Sequence, residues 1–95
     1  VVVEIGPGPG ALTEKLLDCG CHVLAIEKDT VFARHLQSKQ HPSLEVWNED
    51  VLDFPFESEL AKRVGNKKAK VVANIPYHLT TPILERLTRL PHLVD

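Results

Sequence analysis

Short apolar runs recur along the chain, and each is stopped by a glycine or a polar residue. The run over residues 1–5 is rich in β-branched side chains and ends at Gly6, which is typical of a strand buried on both faces of a parallel sheet. Similar runs predict strands over 22–26, 44–47 and 70–75. The pattern therefore predicts four strands.

Helical spacing of apolar residues fills the segments between and after these strands. Leu12, Leu16 and Leu17 predict a helix over 11–19, and Gly20 stands where a left-handed C-cap is needed. Further segments are predicted as helices over 30–39, 57–64 and 81–90, with a loop at 52–56. Helices and strands thus alternate along the whole chain.

The second predicted helix carries its own start signal. Asp29 precedes it, and an aspartate there can accept hydrogen bonds from the first free N–H groups of the helix. Phe32 and Leu36, four residues apart, form its apolar face. Asp29 therefore has a capping interpretation that needs no ligand.

The alternation predicts an α/β fold, a partial doubly wound parallel sheet of about four strands with right-handed crossovers, as in the Rossmann-like folds. We expect residues 1–95 to form one domain, incomplete in this chain, because the sequence begins inside a strand and contains no methionine. A site assembled from several strand ends would then also be incomplete.

Charge and composition exclude several classes of protein. The 11 Lys+Arg and 13 Asp+Glu give a net charge of −2, which lacks the broad positive field of non-specific nucleic-acid binders. No apolar run approaches the roughly 20 residues of a membrane span, so we expect a cytoplasmic, monomeric protein without a membrane partner. The spacing of the five histidines and two cysteines suits no metal site, and we expect Cys19 and Cys21 to be buried or partly buried free thiols.

One local cluster departs from this charge balance. Basic side chains gather around the end of the third predicted helix, at Lys62, Arg63, Lys67, Lys68 and Lys70. Such a cluster can contact RNA phosphate, but it is more often a solvated face. Both interpretations stay open at the level of sequence.

The glycine-rich segment over 6–10 follows the first strand, where open α/β sheets bind ligands. Gly6 and Gly8 fit the loose pattern of a dinucleotide loop, and a tight turn without a ligand is the structural alternative. Pro7 and Pro9, however, remove N–H donors that a pyrophosphate would need, and Glu4 adds a nearby carboxylate. S-adenosylmethionine, which carries a cationic amino group, a sulfonium and a ribose, fits this loop better.

Acidic residues follow the second and third predicted strands. Glu27 lies 17 residues after Gly10, near the spacing at which a carboxylate accepts hydrogen bonds from ribose hydroxyls, in NAD enzymes as well. Asp50 can accept the exocyclic amine of the cofactor's adenine, with Val51 against the ring. Solvated acids at strand ends are the alternative interpretation of both carboxylates.

The segment Asn-Ile-Pro-Tyr at 74–77 follows the fourth predicted strand. Pro76 stiffens the turn that holds the Asn74 side-chain oxygen and a neighbouring carbonyl. These two oxygens can accept hydrogen bonds from both N–H groups of a nucleobase amine, which directs the lone pair of the nitrogen toward a methyl donor. Tyr77 offers a ring on which an extruded base stacks. We therefore predict a catalytic segment of Asn74, Ile75, Pro76 and Tyr77, with a strand-ending turn as the alternative.

Taken together, the motifs at 4–13, 26–29, 49–52 and 74–77 resemble the ribosomal RNA adenine dimethyltransferases of the KsgA type, over essentially the whole chain. The resemblance implies N6-dimethylation of adenosine in small-subunit ribosomal RNA, with S-adenosylmethionine as cofactor and the small-subunit precursor as partner. It implies that cofactor-binding residues are Glu4, Gly6, Gly8, Gly10, Glu27, Asp50, Val51 and Asn74.

Three other functions remain open at this stage. The related macrolide-resistance methylases of large-subunit RNA often carry Asn-Ile-Pro-Tyr, although the Thr-Thr-Pro-Ile-Leu that follows at 80–84 resembles the small-subunit enzymes. A non-catalytic RNA-binding assembly factor could retain the same fold. An NAD-dependent oxidoreductase would share the glycine loop and Glu27.

Overall fold

Four parallel strands form one sheet, and its carboxyl edge positions the predicted site. The computed structural model describes residues 1–64 and 67–73. The strands are β1 (Val2–Ile5), β2 (Val23–Ile26), β3 (Leu44–Trp47) and β4 (Lys70–Ala73), in the spatial order β3-β2-β1-β4. Since β2 and β3 extend to one side of β1 and β4 lies on the other, the order reverses between β1 and β4, where this fold class binds ligands.

Helices connect consecutive strands, as the alternating pattern predicts. They are α1 (Ala11–Asp18), α2 (Thr30–Gln37) and α3 (Phe56–Val64), with a 3₁₀ turn over Val51–Asp53. The predicted loop at 52–56 is wrong at both ends, because Asp50 caps the 3₁₀ turn and Phe56 already begins α3. The predicted helix at 81–90 lies outside the described residues.

The two faces of the sheet bury separate apolar clusters, which confirms the doubly wound α/β prediction. On one face, Leu24 and Ile26 pack with Phe54 and with Leu60 of α3. On the other face, Val23, Ala25 and Leu36 pack with partly buried side chains of α1 and β3. Strand side chains alternate between faces, so β2 is buried on both, as a strand inside a parallel sheet should be.

Helix α1 buries only part of its apolar residues against the sheet. Thr13 is fully buried, Leu16 and Leu17 are partly buried, and Leu12 is exposed. Three- and four-residue spacing places Thr13, Leu16 and Leu17 on one face of a helix, and Leu12 lies off that face. A polar side chain thus occupies the first buried position of α1.

Other predictions at the ends of the helices have mixed outcomes. Gly20 has a φ of +84°, which confirms the left-handed turn after α1. Asp29 accepts hydrogen bonds from the N–H groups of Val31 (2.8 Å) and Phe32 (3.0 Å), which confirms it as the cap of α2. Leu36 is buried, whereas Phe32 is 38% exposed and so only partly joins the apolar face.

The cysteines and the basic cluster also differ in part from expectation. Cys21 is a partly buried free thiol as predicted, but Cys19 is exposed, since it follows the last turn of α1. Two side chains of the basic cluster pair with carboxylates: Arg63 with Glu45 and Glu59, and Lys62 with Glu59. The Arg63–Glu45 pair joins α3 to β3, and the two pairs with Glu59 lie within α3. All of them reduce the positive charge available to RNA.

Candidate functional site

The register of the sheet brings the predicted site segments to one edge. Ile5 pairs with Ile26 and with Ala73, and Ile26 pairs with Trp47, so all four strands end in one row. The segments at 6–10, 27–29 and 48–51 begin directly after that row. The predicted catalytic residues Asn74, Ile75, Pro76 and Tyr77 follow Ala73 in sequence and lie outside the described residues.

The backbone N–H groups of the glycine loop over 6–10 are all hydrogen-bonded to other groups of the protein. The N–H groups of Gly6, Gly8 and Gly10 donate, respectively, to the Ile26 carbonyl (3.0 Å), to Glu27 Oε1 (2.8 Å) and to the Pro7 carbonyl (3.1 Å). The two prolines in the loop have no N–H. Every N–H of this loop is therefore engaged with the protein, and the loop itself offers no donor to a pyrophosphate.

The glycines of this loop meet different requirements. Gly6, Gly8 and Gly10 all have positive φ, at +68°, +57° and +92°. A Cβ at Gly10 would lie 2.8 Å from Cδ2 of Leu36, so the absence of a side chain there lets α1 begin close against α2. A Cβ at Gly8 would meet nothing within 4 Å, so the space beside Gly8 is open. Gly8 is thus the position where a ligand can approach the backbone.

Glu27 holds the glycine loop and the start of α2 together. Its Oε1 accepts from the Gly8 N–H and its Oε2 accepts from the Asp29 N–H at 2.9 Å, while the residue is 7% exposed. Each carboxylate oxygen has two lone pairs, so both can accept one further hydrogen bond. Glu27 can therefore organise the loop and still receive two hydroxyl groups.

A second buried carboxylate, Glu4, lies within β1. Glu4 is 3% exposed, and its Oε1 accepts the hydroxyl of the fully buried Thr13 from α1. Burial raises the pKa of Glu4, the Thr13 hydrogen bond opposes that rise, and the charge of Glu27 adds to it. Two acids so close together make this edge of the sheet favourable for a cation.

A cavity of about 220 Å³ opens beside Glu4, between the glycine loop and the end of β4. Apart from Glu4, its lining residues carry no polar side chain: they are Gly6, Pro7, Pro9, Ala11, Leu12 and Ala73. The exposed Leu12, which does not face the core, here forms part of a wall. The cavity suits a small group that combines positive charge with apolar surface.

The third segment of the predicted site has structural partners of its own. Asp50 Oδ1 accepts from the Leu52 N–H at 2.9 Å, and Oδ2 lies 3.4 Å from Nζ of Lys28. The Leu52 hydrogen bond and then Lys28 hold the pKa of Asp50 below its usual value. Val51 is 7% exposed and belongs to the apolar core. The assignment of Asp50 and Val51 to a nucleobase stays a prediction.

Three residues of this edge were not assigned a role from the sequence. Thr13 holds Glu4, Lys28 pairs with Asp50, and the Asn48 side-chain amide donates to the carbonyls of Glu27 (3.0 Å) and Lys28 (3.1 Å). The signal available for Thr13 was its helical spacing with Leu16 and Leu17. For Asn48 and Lys28 it was only their place after a strand.

In residues 1–64 and 67–73, no three His, Cys, Asp or Glu side chains are grouped so that they could hold a metal ion. Among the helices of those same ranges, none is long and apolar enough to cross a membrane.

Glu4→Gln is expected to raise the free energy of unfolding at neutral pH by about 1 kcal/mol, because it removes a buried charge and keeps an oxygen for Thr13. Since folding raises the pKa of Glu4, protonated Glu4 stabilises the fold at low pH, and that contribution is lost as the pH rises through the folded-state pKa. The advantage of the variant should therefore shrink on acidification, as measured by urea unfolding of the full-length protein.

Glu14→Gln provides the matched control for this measurement. Glu14 is an exposed acid on α1 whose pKa is lowered by its hydrogen bond to Lys39, so its replacement should give no gain at neutral pH. A gain from Glu4→Gln that stayed constant as the pH fell would contradict the assignment of a raised pKa to Glu4.

Comparison with known proteins identifies relatives of the chain. The model of the family described as ribosomal RNA adenine dimethylase matches residues 1–95. The ribosomal RNA small subunit methyltransferase A of Protochlamydia amoebophila is 54% identical over 90 residues, which cover 92% of this chain and 32% of the relative. The protein of the same name from Chlorobaculum tepidum is 43% identical over 93 residues, covering 98% of this chain and 32% of that relative.

Solved structures with the same fold agree with these relatives. The 23S rRNA methyltransferase ErmE superposes with a TM-score of 0.73 at 32% identity, covering 97% of this chain and 35% of that one. A dimethyladenosine transferase from Plasmodium falciparum superposes with a TM-score of 0.70 at 28% identity, covering 99% of this chain and 32% of that one. The chain spans about a third of the length of the relatives that it matches.

The family match over all 95 residues confirms the resemblance drawn from the four motifs, and the superpositions confirm the Rossmann-like prediction. The three of these motifs that the structure describes, at 4–13, 26–29 and 49–52, lie at one edge of the sheet. The chain therefore belongs to the ribosomal RNA adenine dimethylase family.

Proposed function

We propose that the full-length protein transfers methyl groups from S-adenosylmethionine to N6 of adenosine in small-subunit ribosomal RNA, twice for each base. Family membership supports the reaction, and the names of relatives up to 54% identical support the small subunit. The partner would be ribosomal RNA or a precursor of the small subunit, and the protein would act in the cytoplasm as a monomer.

One observation carries the choice of cofactor: the glycine loop lies beside two buried carboxylates, and all of its N–H groups are engaged with the protein. Such a loop disfavours a pyrophosphate, which needs donors and is repelled by acids. It favours a ligand that has no phosphate and carries a positive charge. S-adenosylmethionine meets both conditions.

Different described residues would bind different parts of the cofactor. Glu27 would accept the ribose hydroxyls, since both of its oxygens keep a lone pair beyond the bonds to Gly8 and Asp29. Asp50 would accept the exocyclic amine of the adenine, with Val51 below the ring. The cavity beside Glu4 would receive the methionine end, where the carboxylate meets the ammonium group.

When bound, S-adenosylmethionine supplies an electrophilic methyl group on a sulfonium that leaves readily. The Asn74 oxygen and a neighbouring carbonyl would hold the target amine by accepting hydrogen bonds from its N–H groups. This favours a pyramidal nitrogen with its lone pair directed at the methyl carbon. Tyr77 would stack on the extruded base, and Ile75 and Pro76 would fix the turn. The surplus proton of the methylated amine then leaves to solvent, so these residues act by positioning rather than as a base.

A large-subunit target is the second candidate, favoured by the superposition on the 23S rRNA methyltransferase ErmE. The relatives named for the small subunit are more similar in sequence, at 43–54% identity against 32%. A non-catalytic assembly factor would bind the same RNA without transferring a methyl group. The two alternatives therefore differ from our proposal in the modified base and in turnover.

The proposal is tested by incubating full-length protein and labelled S-adenosylmethionine separately with small-subunit and large-subunit precursor particles. We expect label in dimethyladenosine of the small-subunit RNA, located by sequencing of the modified positions. Label in the large subunit would establish the second candidate, and cofactor binding without transfer would indicate an assembly factor. Thermal stabilisation by NAD but not by S-adenosylmethionine would point instead to an oxidoreductase.

Gly8→Ala is expected to weaken S-adenosylmethionine binding by tenfold or more, because its Cβ would project into the open space beside the loop. The matched control is Gly20→Ala, since Gly20 also has positive φ and open space but lies after α1, far from the site edge. Both variants should lose about 1 kcal/mol of stability from left-handed strain.

Calorimetric titration of both full-length variants, together with urea unfolding, separates strain from ligand contact. Equal loss of cofactor affinity in Gly8→Ala and Gly20→Ala would show that Gly8 matters only for the fold.

A further inference from the structure

We propose that Thr13 is a positioning residue that holds the Glu4 carboxylate in the orientation and charge state that receives the ammonium group of the cofactor. The inference rests on the proposed function, because it takes S-adenosylmethionine as the ligand of the cavity beside Glu4. It adds Thr13 to the residues on which cofactor binding depends, although Thr13 itself makes no contact with the ligand in this scheme.

The geometry places Thr13 behind Glu4 rather than in the cavity. Thr13 is 0% exposed and donates its hydroxyl to Oε1 of Glu4, whereas Glu4 itself forms part of the cavity wall and Thr13 does not. Thr13 also stands at the first buried position of α1, on the same face as the apolar Leu16 and Leu17. Its hydroxyl is therefore explained by Glu4 and not by the packing of the helix.

The electrostatics show why Glu4 requires such a donor. Burial and the charge of Glu27 both favour the protonated form of Glu4, and the Thr13 hydrogen bond opposes them. A protonated Glu4 would lose its attraction for an ammonium group. The Thr13 hydroxyl thus favours the anionic form of this buried acid.

Among residues 1–64 and 67–73, the other charged groups on α1, on β4 and after β2 do not take over this task. On α1, Glu14 is exposed and pairs with Lys39, which follows α2, and Lys15 is exposed as well. On β4, Lys70 is in register with Val2, at the opposite end of β1 from the site. Glu27, after β2, is an acid and acts in the opposite direction.

The test compares Thr13→Val, which keeps the shape and removes the hydroxyl, with Thr13→Ser, which keeps the hydroxyl. In ligand-free full-length protein, the ¹³C carboxyl resonance of Glu4, assigned by its loss in Glu4→Gln, should titrate at a higher pH in Thr13→Val than in wild type. Thr13→Ser should titrate like wild type. Thr13→Ala, which also lacks the hydroxyl, replaces the valine variant if that variant does not fold.

Calorimetry with S-adenosylhomocysteine, which retains the ammonium group, then measures affinity against pH. We expect Thr13→Val to bind roughly tenfold more weakly on the acid side, with the difference narrowing as the pH rises, because a hydrogen bond to a charged group is being lost. A merely structural role for Thr13 would lower the affinity equally at every pH.

The two hypotheses fail in different ways. If Glu4 titrates at the same pH in wild type and in the variants without the hydroxyl, the role of Thr13 is overturned whatever the ligand. If wild type binds neither S-adenosylmethionine nor S-adenosylhomocysteine, the proposed function fails, while the Glu4 titration still reports on Thr13.

Discussion

Glu27→Ala is expected to weaken S-adenosylmethionine binding by about 100-fold or more, since hydrogen bonds to a charged acceptor contribute about 1.5–3 kcal/mol. The loss should exceed that of the ribose contacts alone. Alanine would also leave the N–H groups of Gly8 and Asp29 without their acceptor, so the glycine loop and the start of α2 would no longer be held together. Calorimetric titration of the full-length protein measures the loss.

Two variants separate the ribose contact of Glu27 from its role in holding the glycine loop to the start of α2. Glu27→Gln keeps the volume but replaces one acceptor oxygen by an amide that faces an N–H donor, so an intermediate loss is expected. Asp29→Asn keeps an acceptor for the cap of α2 and should bind the cofactor like wild type. Faster amide exchange at Gly8 in Glu27→Ala would show that the glycine loop is no longer held by Glu27. Unchanged affinity in Glu27→Ala would remove this residue from the site.

Asn74→Ala is expected to lower the rate of methyl transfer by about 100- to 1000-fold, the usual effect of deleting one preorganised polar group that acts on the transition state. Cofactor affinity should change much less, because the amide acts mainly on the amine of the target base as it becomes pyramidal. Single-turnover methylation of small-subunit particles, alongside calorimetry, distinguishes the two effects.

Tyr77 provides the comparison for Asn74. Tyr77→Ala should cost about 1–3 kcal/mol of base stacking, whereas Tyr77→Phe should be mild because the ring is kept. A normal rate of methyl transfer in Asn74→Ala would contradict a catalytic role for the segment at 74–77 and favour its interpretation as a structural turn. An equal loss of rate in both Tyr77 variants would do the same.

The strands were the most predictable part of this fold. Predicted and observed bounds agree for β3 and differ by one residue for β1 and β2, because β-branched runs end at residues that cannot continue a buried strand. Gly20 and Asp29 were equally predictable, since their conformational and capping preferences are local. These features depend on near neighbours in sequence.

The buried face of α1 was not predictable in the same way. With eight residues, the helix offers two overlapping faces that could be buried, one starting at Leu12 and one at Thr13. The choice depends on Glu4, nine positions away, which accepts the Thr13 hydroxyl and lies beside a cavity that Leu12 lines. Local periodicity carries no information about such a partner.

The candidate site was predictable in position but not in the division of tasks. The sequence assigned Gly6, Gly8 and Gly10 to one purpose, whereas the space around Gly10 is filled by Leu36 and the space around Gly8 is open. Only the packing of α2 against the loop separates them. The position of the site was predictable because ligands bind at the carboxyl ends of the parallel strands in this fold class. The register of the sheet brings residues 5, 26, 47 and 73, the last of each strand, into one row.

The Asn48 amide joins the ends of two strands before any ligand arrives. It donates to two successive carbonyls after β2, and the Glu49 N–H donates to the first of them at 3.0 Å. Because Glu27 is held there by backbone and side chain alike, a ligand meets a rim that needs little further ordering. Ordering of the residues at this rim should therefore contribute little to the entropic cost of binding.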